Sequence, residues 1–122
     1  MLVSVTNLKG EIEYCNPAFM RTSAFTTEEL VGQPHNLIRH PDMPPEAFKD
    51  LWRTIGRGKP WSALVKNRRK DGDHYWVVAN VTPVIKDGRV TGYMSVRTKP
   101  TRAQTQAASA LYARINQIGR AH

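Results

Sequence analysis

The chain has 122 residues, which suits one domain or one domain with an extension. Its 18 Lys and Arg against 10 Asp and Glu give a net charge of +8, which indicates either an anionic partner or a solvated basic surface. The basic cluster Lys66–Lys70 is too short to favour nucleic acid as that partner. A single cysteine excludes an internal disulfide and fits a reducing cytoplasm, and no stretch resembles a membrane span or a signal peptide, so we expect the chain to be soluble.

The N-terminal residues predict a hairpin followed by short helices. Leu2–Thr6 and Glu11–Cys15 alternate in polarity like strands, and the Gly10 segment between them reads as a turn. Asn16-Pro17 then predicts a helix start, with Asn as N-cap and Pro at the first helical position. A second short helix is predicted from Thr26, whose spacing to a glutamate three residues later fits a capping box.

The segment from Pro34 to Pro44 is rich in polar chemistry. It contains two histidines, an arginine, an aspartate and three prolines within eleven residues. Prolines at this spacing exclude one regular helix, because each lacks an N–H donor and restricts the residue before it. The segment therefore predicts a shaped loop with at most one helical turn, which is a common setting for a small-molecule site.

The next elements predict a helix and a strand meander. Glu46–Arg57 carries apolar residues on one face and is expected to be the longest helix of the body. Trp61–Arg69, His74–Ile85 and Arg89–Thr98 read as strands joined by Asp-Gly turns. Thr101–Ile118 is alanine-rich and predicts an appended helix that leaves the domain.

This order of elements predicts the fold class. Five strands with short helices inserted between the second and third favour an α+β domain, in which an antiparallel sheet carries the helices on one face. The inserted segment must cross the sheet, so it can form one wall of a pocket. We expect one domain over residues 1–100 and a C-terminal helical extension or linker over 101–122.

Three strings of residues resemble a PAS domain: Asn16-Pro17-Ala18-Phe19, the Thr-x-x-Glu-Leu-x-Gly pattern of residues 26–32, and the strand that ends in Gly92–Arg97. Four further strings, at residues 32–36, 39–44, 59–62 and 66–77, resemble more narrowly the N-terminal PAS domain of bacterial aerotaxis receptors. The resemblance covers about residues 1–100.

The resemblance implies a flavoprotein that acts in signal transduction. Domains of this kind bind FAD non-covalently and sense its redox state, and they pass that state to the HAMP and signalling segments of a chemotaxis receptor that controls a histidine kinase. It also implies a homodimer, no nucleic-acid partner, and a place on the cytoplasmic side of the bacterial inner membrane, although this chain contains no membrane span. The lack of a cysteine in residues 32–38 argues against blue-light adduct chemistry.

The resemblance further implies a set of flavin-site residues, with Asn16 the weakest of them: His35, Arg39, His40, Asp42, Trp61, Asn67, Tyr75 and Asn16. Their chemistry suits a flavin, which needs aromatic walls, paired donors and acceptors at the pyrimidine edge, and positive charge for its phosphates. Trp61 and either Tyr75 or Trp76 can supply walls, and a mid-strand amide such as Asn67 can read the edge. The alternatives are a core aromatic at Trp61, an exposed strand residue at Asn67, and an Asp42 that caps the next helix or pairs with Arg39.

Two other functions stay open. One is a haem-binding PAS sensor that uses His35 or His40 as axial ligand, and the other is a cofactor-free module that dimerises through the N-terminal strand or the 101–118 helix. An enzyme is not expected, since the sequence lacks a nucleophile elbow, a carboxylate pair and a metal-ligand spacing.

Overall fold

The structure is a computed structural model that describes residues 1–120. One antiparallel sheet contains five strands in the order β2-β1-β5-β4-β3. The strands are β1 (Leu2–Asn7), β2 (Ile12–Cys15), β3 (Trp61–Arg68), β4 (His74–Lys86) and β5 (Arg89–Thr98). The helices are α1 (Pro17–Ser23), α2 (Thr27–Leu30), α3 (Pro45–Ile55) and α4 (Arg102–Arg120), with a 3-10 turn at His35–Ile38. The predicted α+β arrangement is confirmed.

Strand alternation gives the sheet an inner face that supports two apolar clusters. One cluster lies under α3 and includes Ile55, Trp61 and Val77, and the other lies under α1 and α2 and includes Ile12 and Phe19. Because side chains alternate across a strand, the residues between these positions face the opposite side of the sheet. The helices α1, α2 and α3 therefore pack on one face, as the sequence predicts.

The caps of the short helices are those that the sequence predicts. Asn16 Oδ1 accepts from the Phe19 N–H at 3.0 Å, which satisfies a donor that the first turn of α1 would leave free. Thr26 and Glu29 form a complete capping box around the start of α2. Helix α3, in contrast, begins after Pro44 without a side-chain cap, so the alternative that Asp42 caps it is wrong.

Gly92 fixes the approach of β1 to β5. A Cβ atom at this position would lie 2.0 Å from the Thr6 carbonyl oxygen, so any other residue would force the two strands apart. This close approach lets β1, which comes first in the chain, lie inside the sheet between β2 and the last strand, β5, which is the central one.

Helix α4 covers part of the outer face of the sheet. The Tyr112 hydroxyl donates to the Leu64 carbonyl at 2.6 Å, and its ring stacks on Trp76 with centroids 6.2 Å apart. Asn116 Nδ2 donates to the Asp42 carbonyl at 2.7 Å. The helix is confirmed, but the expectation that it leaves the domain is wrong over the described residues, because Trp76 points outward and Tyr112 of α4 packs on its ring.

Residues 121–122 of the expected extension lie outside the described residues, and the division into a domain over 1–100 and a linker stays a prediction. Among the helices that the structure describes, none is long and apolar enough to cross a membrane.

Candidate functional site

A cavity of about 220 Å³ lies between the inner face of the sheet and residues 32–40, which we call the bridging segment. This segment is attached at one edge of the sheet, where the Ile12 N–H of β2 donates to the Gln33 carbonyl at 2.9 Å and the His35 N–H donates to the Gly10 carbonyl at 3.0 Å. At the other edge, Arg39 forms an isolated antiparallel bridge with Asn67, and the His40 N–H donates to the Lys66 carbonyl at 3.2 Å. The segment therefore spans the sheet from β2 to β3, the two edge strands.

The 3-10 turn holds the middle of the bridging segment against the core. Pro34 precedes the turn in an extended conformation and lacks a donor, so the turn begins directly after it. Ile38, which is only 1% exposed, packs into the cluster with Phe19 and Leu30. The buried Ile38 side chain thus anchors the bridging segment, and Asn36 and Arg39 on either side of it line the cavity.

The walls of the cavity are mainly apolar. Helix α3 and strands β3 and β4 contribute Phe48, Leu51, Ile55, Trp61, Val65, Ala79 and Val81. Trp61 is 7% exposed, and its Nε1 donates to Asp50 Oδ2 at 2.9 Å, which ties the start of β3 to α3. The guanidinium of Arg39 lies 3.5 Å from the centroid of the Phe48 ring. These contacts give the cavity rigid aromatic walls.

Three polar residues at the cavity have buried atoms without a hydrogen-bond partner. The atoms are Asn67 Nδ2, Ser95 Oγ and Arg39 Nε, and all three residues line the cavity. Asn67 is 3% exposed and Ser95 is 7% exposed. Because buried polar groups are nearly always hydrogen-bonded, a group of such atoms around one cavity points to a polar ligand.

Arg97 adds a buried positive charge to the site. It is 3% exposed, and its Nη1 donates to Ser4 Oγ at 3.1 Å while its Nη2 donates to His35 Nε2. Arginine has no acceptor, so His35 Nε2 must accept and the imidazole is neutral. Burial and the Arg97 charge lower the pKa of His35 to about 3, whereas burial lowers that of Arg97 only to about 10.

A family model described as the PAS fold matches residues 12–97. The chain belongs to the PAS family. The aerotaxis receptor of Escherichia coli strain K12 is 50% identical to it over 115 residues, which cover 94% of this chain and 23% of the receptor. The nitrogen fixation regulatory protein of Klebsiella oxytoca is 30% identical over 96 residues, 78% of this chain and 19% of that protein. The chain thus spans less than a quarter of the length of either relative, and the predicted resemblance to aerotaxis receptors is confirmed.

Solved structures confirm the PAS fold. A light-oxygen-voltage domain studied with a flavin analogue superposes with a TM-score of 0.79 at 20% identity and covers 87% of this chain and 82% of its own. The dark structure of the Aureochrome1 light-oxygen-voltage photoreceptor gives a TM-score of 0.77 at 19% identity, with 97% and 86% covered. Identities this low show the fold alone.

Four of the eight predicted site residues of this PAS domain line the cavity: His35, Arg39, Trp61 and Asn67. The structure thus brings together the polar bridging segment and the two predicted residues of β3. It does so because Arg39 and Asn67 pair directly through their backbones. Contact of these residues with a cofactor stays a prediction.

The other four predicted residues lie outside the cavity lining. The imidazole Nδ1 of His40 accepts from the Asp42 N–H at 3.0 Å, and the Asp42 carboxylate pairs with Lys66 Nζ at 2.9 Å. Tyr75 faces Asn67 across β3 and β4. Burial raises the pKa of the Tyr75 hydroxyl, whereas the Arg97 charge and an interaction with the Asn67 side chain lower it, although that contact does not meet hydrogen-bond geometry. Asn16 is occupied as the cap of α1. Their roles in cofactor binding stay predictions as well.

Ser95 and Arg97 are among the cavity-lining residues that the sequence did not indicate. Both occupy inward positions of β5, two residues apart, as does Tyr93 at the cavity wall. A buried arginine on a strand is a signal of function, because charged residues are rarely buried without a partner. The sequence alone does not show that Arg97 points inward, since the inward face of β5 depends on how the strands pair.

Cys15 is a small buried side chain of the core. It is 5% exposed and packs in the cluster with Ile12 and Phe19. Burial raises the pKa of its thiol to about 11, so the reactive thiolate is disfavoured. Among the described residues there is also no group of three or more side chains that could hold a metal ion.

Proposed function

We propose that this PAS domain binds FAD non-covalently in the cavity and acts as the redox-sensing domain of an aerotaxis receptor. The observation that carries the proposal is the set of buried, unpartnered atoms of Asn67, Ser95 and Arg39 around one apolar cavity. The 50% identity to an aerotaxis receptor supports it independently. As part of a receptor, the domain would act through protein contacts and not as an enzyme.

The residues present fit a flavin ring. Trp61 and Phe48 provide flat apolar walls, and the Asn67 carboxamide can match a donor and an acceptor on one edge of a ring. Whole-ligand pockets are usually about 300–1,000 Å³. The cavity of about 220 Å³ therefore suits the ring system better than the complete dinucleotide, and Lys9 beside it offers a positive charge for phosphate.

The chain's own residues provide a path from this site to α4. A bound flavin would supply redox chemistry, in which its charge and protonation change with its state. Asn67 would respond at the cavity, and its neighbour Lys66 holds Asp42, whose carbonyl accepts from Asn116 of α4. A change in the position of β3 would thus alter the docking of α4 and bias the segments that follow.

The proposal carries partners and a location with it. In the receptor these would be the HAMP and signalling segments, a second copy of the domain, and a place on the cytoplasmic side of the inner membrane. They are inferred from the aerotaxis relative, of which this chain covers 23%.

The geometry gives less support to haem. An axial histidine must offer a free ring nitrogen, but His35 Nε2 already accepts from Arg97. His40 is outside the cavity lining, and its Nδ1 accepts from the Asp42 N–H. Neither histidine presents the arrangement that the haem alternative requires.

The proposal is tested by reconstitution. The purified chain is incubated separately with FAD and haem, passed through a desalting column, and scanned for absorbance, and the cofactor is then extracted and identified. We expect flavin bands that comigrate with the protein at up to one FAD per chain. A folded chain that retains no flavin, or that shows a Soret band instead, would overturn the proposal.

A further inference from the structure

Arg97 is a buried cation whose partners are both neutral. Its guanidinium donates to the Ser4 hydroxyl and to the unprotonated nitrogen of His35, and it lies 5.0 Å from the centroid of the Phe19 ring. Hydroxyl, imidazole and aromatic groups stabilise a cation only partly. The charge is therefore solvated by dipoles and is not neutralised.

No carboxylate compensates this charge within the described residues. The ion pairs of the structure join other residues. The ionisable groups that would raise the pKa of Arg97 are the Tyr75 hydroxyl and the Cys15 thiol, and burial raises the pKa of both, so they favour their neutral forms. A buried charge without a counter-ion is costly for a fold, and proteins keep one mainly where a ligand or a partner balances it.

The surroundings of Arg97 point to a ligand as that balance. Arg97 lines the cavity, and the described lining residues include the further cations Lys9 and Arg39 but no aspartate or glutamate. Ser95, two residues before Arg97 on the same face of β5, contributes its unpartnered hydroxyl. The cavity thus presents positive charge and hydrogen-bond donors to its contents.

We propose that Arg97 is the counter-charge for a ligand that is anionic in one of its redox states, and that it binds that state more tightly than the neutral one. This inference rests on the proposed flavin function. A flavin ring that takes up two electrons and one proton carries one net negative charge, and a cation beside the ring favours that form. Arg97 would accordingly raise the reduction potential of the bound flavin.

The first test is the midpoint potential of the FAD-loaded chain, with dithionite as reductant. In Arg97→Met we expect the potential to fall by at least about 30 mV, the equivalent of a tenfold loss of preference for reduced flavin in a two-electron couple. Arg97→Lys keeps the positive charge, so its potential should fall less than that of Arg97→Met. The control is Arg89→Met, an exposed arginine at the start of the same strand, which should leave the potential unchanged. An Arg97→Met potential equal to that of the wild type would overturn the proposal.

The second test needs no flavin. If Arg97 awaits a counter-ion, then Arg97→Met relieves the apoprotein of an uncompensated charge and should raise its Tm by about 4 °C or more. The network can adjust, because the Ser4 hydroxyl lies 3.3 Å from His35 Nε2 and can donate to it. An apoprotein that unfolds earlier, or fails to fold, would show that Arg97 is structural and would overturn the inference. A chain that binds no flavin would contradict the proposed function, while this arm still decides the role of Arg97.

Discussion

At the residue scale, Asn67 connects the sequence to the site. A mid-strand asparagine is disfavoured, which marked it as a candidate before its environment was known. In the structure it is 3% exposed and lines the cavity, and its Nδ2 makes no hydrogen bond of good geometry, although its side chain interacts with the Tyr75 hydroxyl. Such an amide costs stability in the empty protein, and a ligand that bonds to it recovers that cost.

Asn67→Leu should therefore separate binding from stability. We expect FAD affinity to fall by about five- to tenfold, since a hydrogen bond in a buried site contributes roughly 1–1.5 kcal/mol. The apoprotein should keep its free energy of unfolding or gain slightly, because an unsatisfied buried group is removed. Asn80→Leu is the matched control, as Asn80 is an exposed amide on the opposite face of the sheet. Equal losses of affinity in both variants would contradict the role of Asn67.

His35 gives the apoprotein a pH dependence whose sign is fixed. Burial and the Arg97 charge lower its pKa from 6.5 to about 3 in the folded chain, so below pH 6.5 the unfolded state binds a proton that the folded state does not. Stability should fall as the pH drops below 6.5, by at most about 1.4 kcal/mol per pH unit from this group. Urea unfolding at pH 7, 6 and 5 should show a shallower loss in His35→Gln and an unchanged loss in the exposed His74→Gln. A His35→Gln slope equal to that of the wild type would rule out this cause.

At the scale of elements, features that depend on nearby residues could be predicted from the sequence, and features that depend on long-range contacts could not. The starts of α1 and α2 and the Asp-Gly turns were predictable, because caps and turns depend on residues within a few positions of one another. The docking of α4, the attachment of the bridging segment to both edge strands, and the inward direction of Arg97 were not. Each of these depends on strand order and register, which bring together residues such as Tyr112 and Leu64 that are distant in the sequence.

The docking of α4 can be tested at Tyr112. Tyr112→Phe removes the hydrogen bond to the Leu64 carbonyl and should loosen the helix by about 1 kcal/mol, whereas Tyr112→Ala also removes the stack on Trp76 and should loosen it further. Hydrogen exchange of the α4 amides measures this local opening. Leu111→Ala is the control, because Leu111 is 53% exposed on the same helix. Unchanged exchange in both Tyr112 variants would mean that the helix is not held at this residue.

At the scale of the whole molecule, the sheet separates the candidate ligand site from α4. The cavity lies on the inner face under the bridging segment, while α4 packs on the outer face of β3 and β4. Strand β3 contacts both the cavity and α4, since Trp61 and Asn67 face the cavity and the Leu64 carbonyl accepts a hydrogen bond from the Tyr112 hydroxyl. One edge strand therefore offers the proposed site a direct connection to the C-terminal helix.

The central claim is that this cavity is a flavin site, and thermal unfolding at increasing FAD concentration tests it most directly. A ligand that binds only the folded chain stabilises it by about 2.7 kcal/mol at a concentration one hundred times its Kd. We expect the Tm to rise with the logarithm of FAD concentration in the wild type and in Asn80→Leu, and to rise only at higher concentrations in Asn67→Leu. A folded wild-type chain whose Tm does not change with FAD would contradict the account.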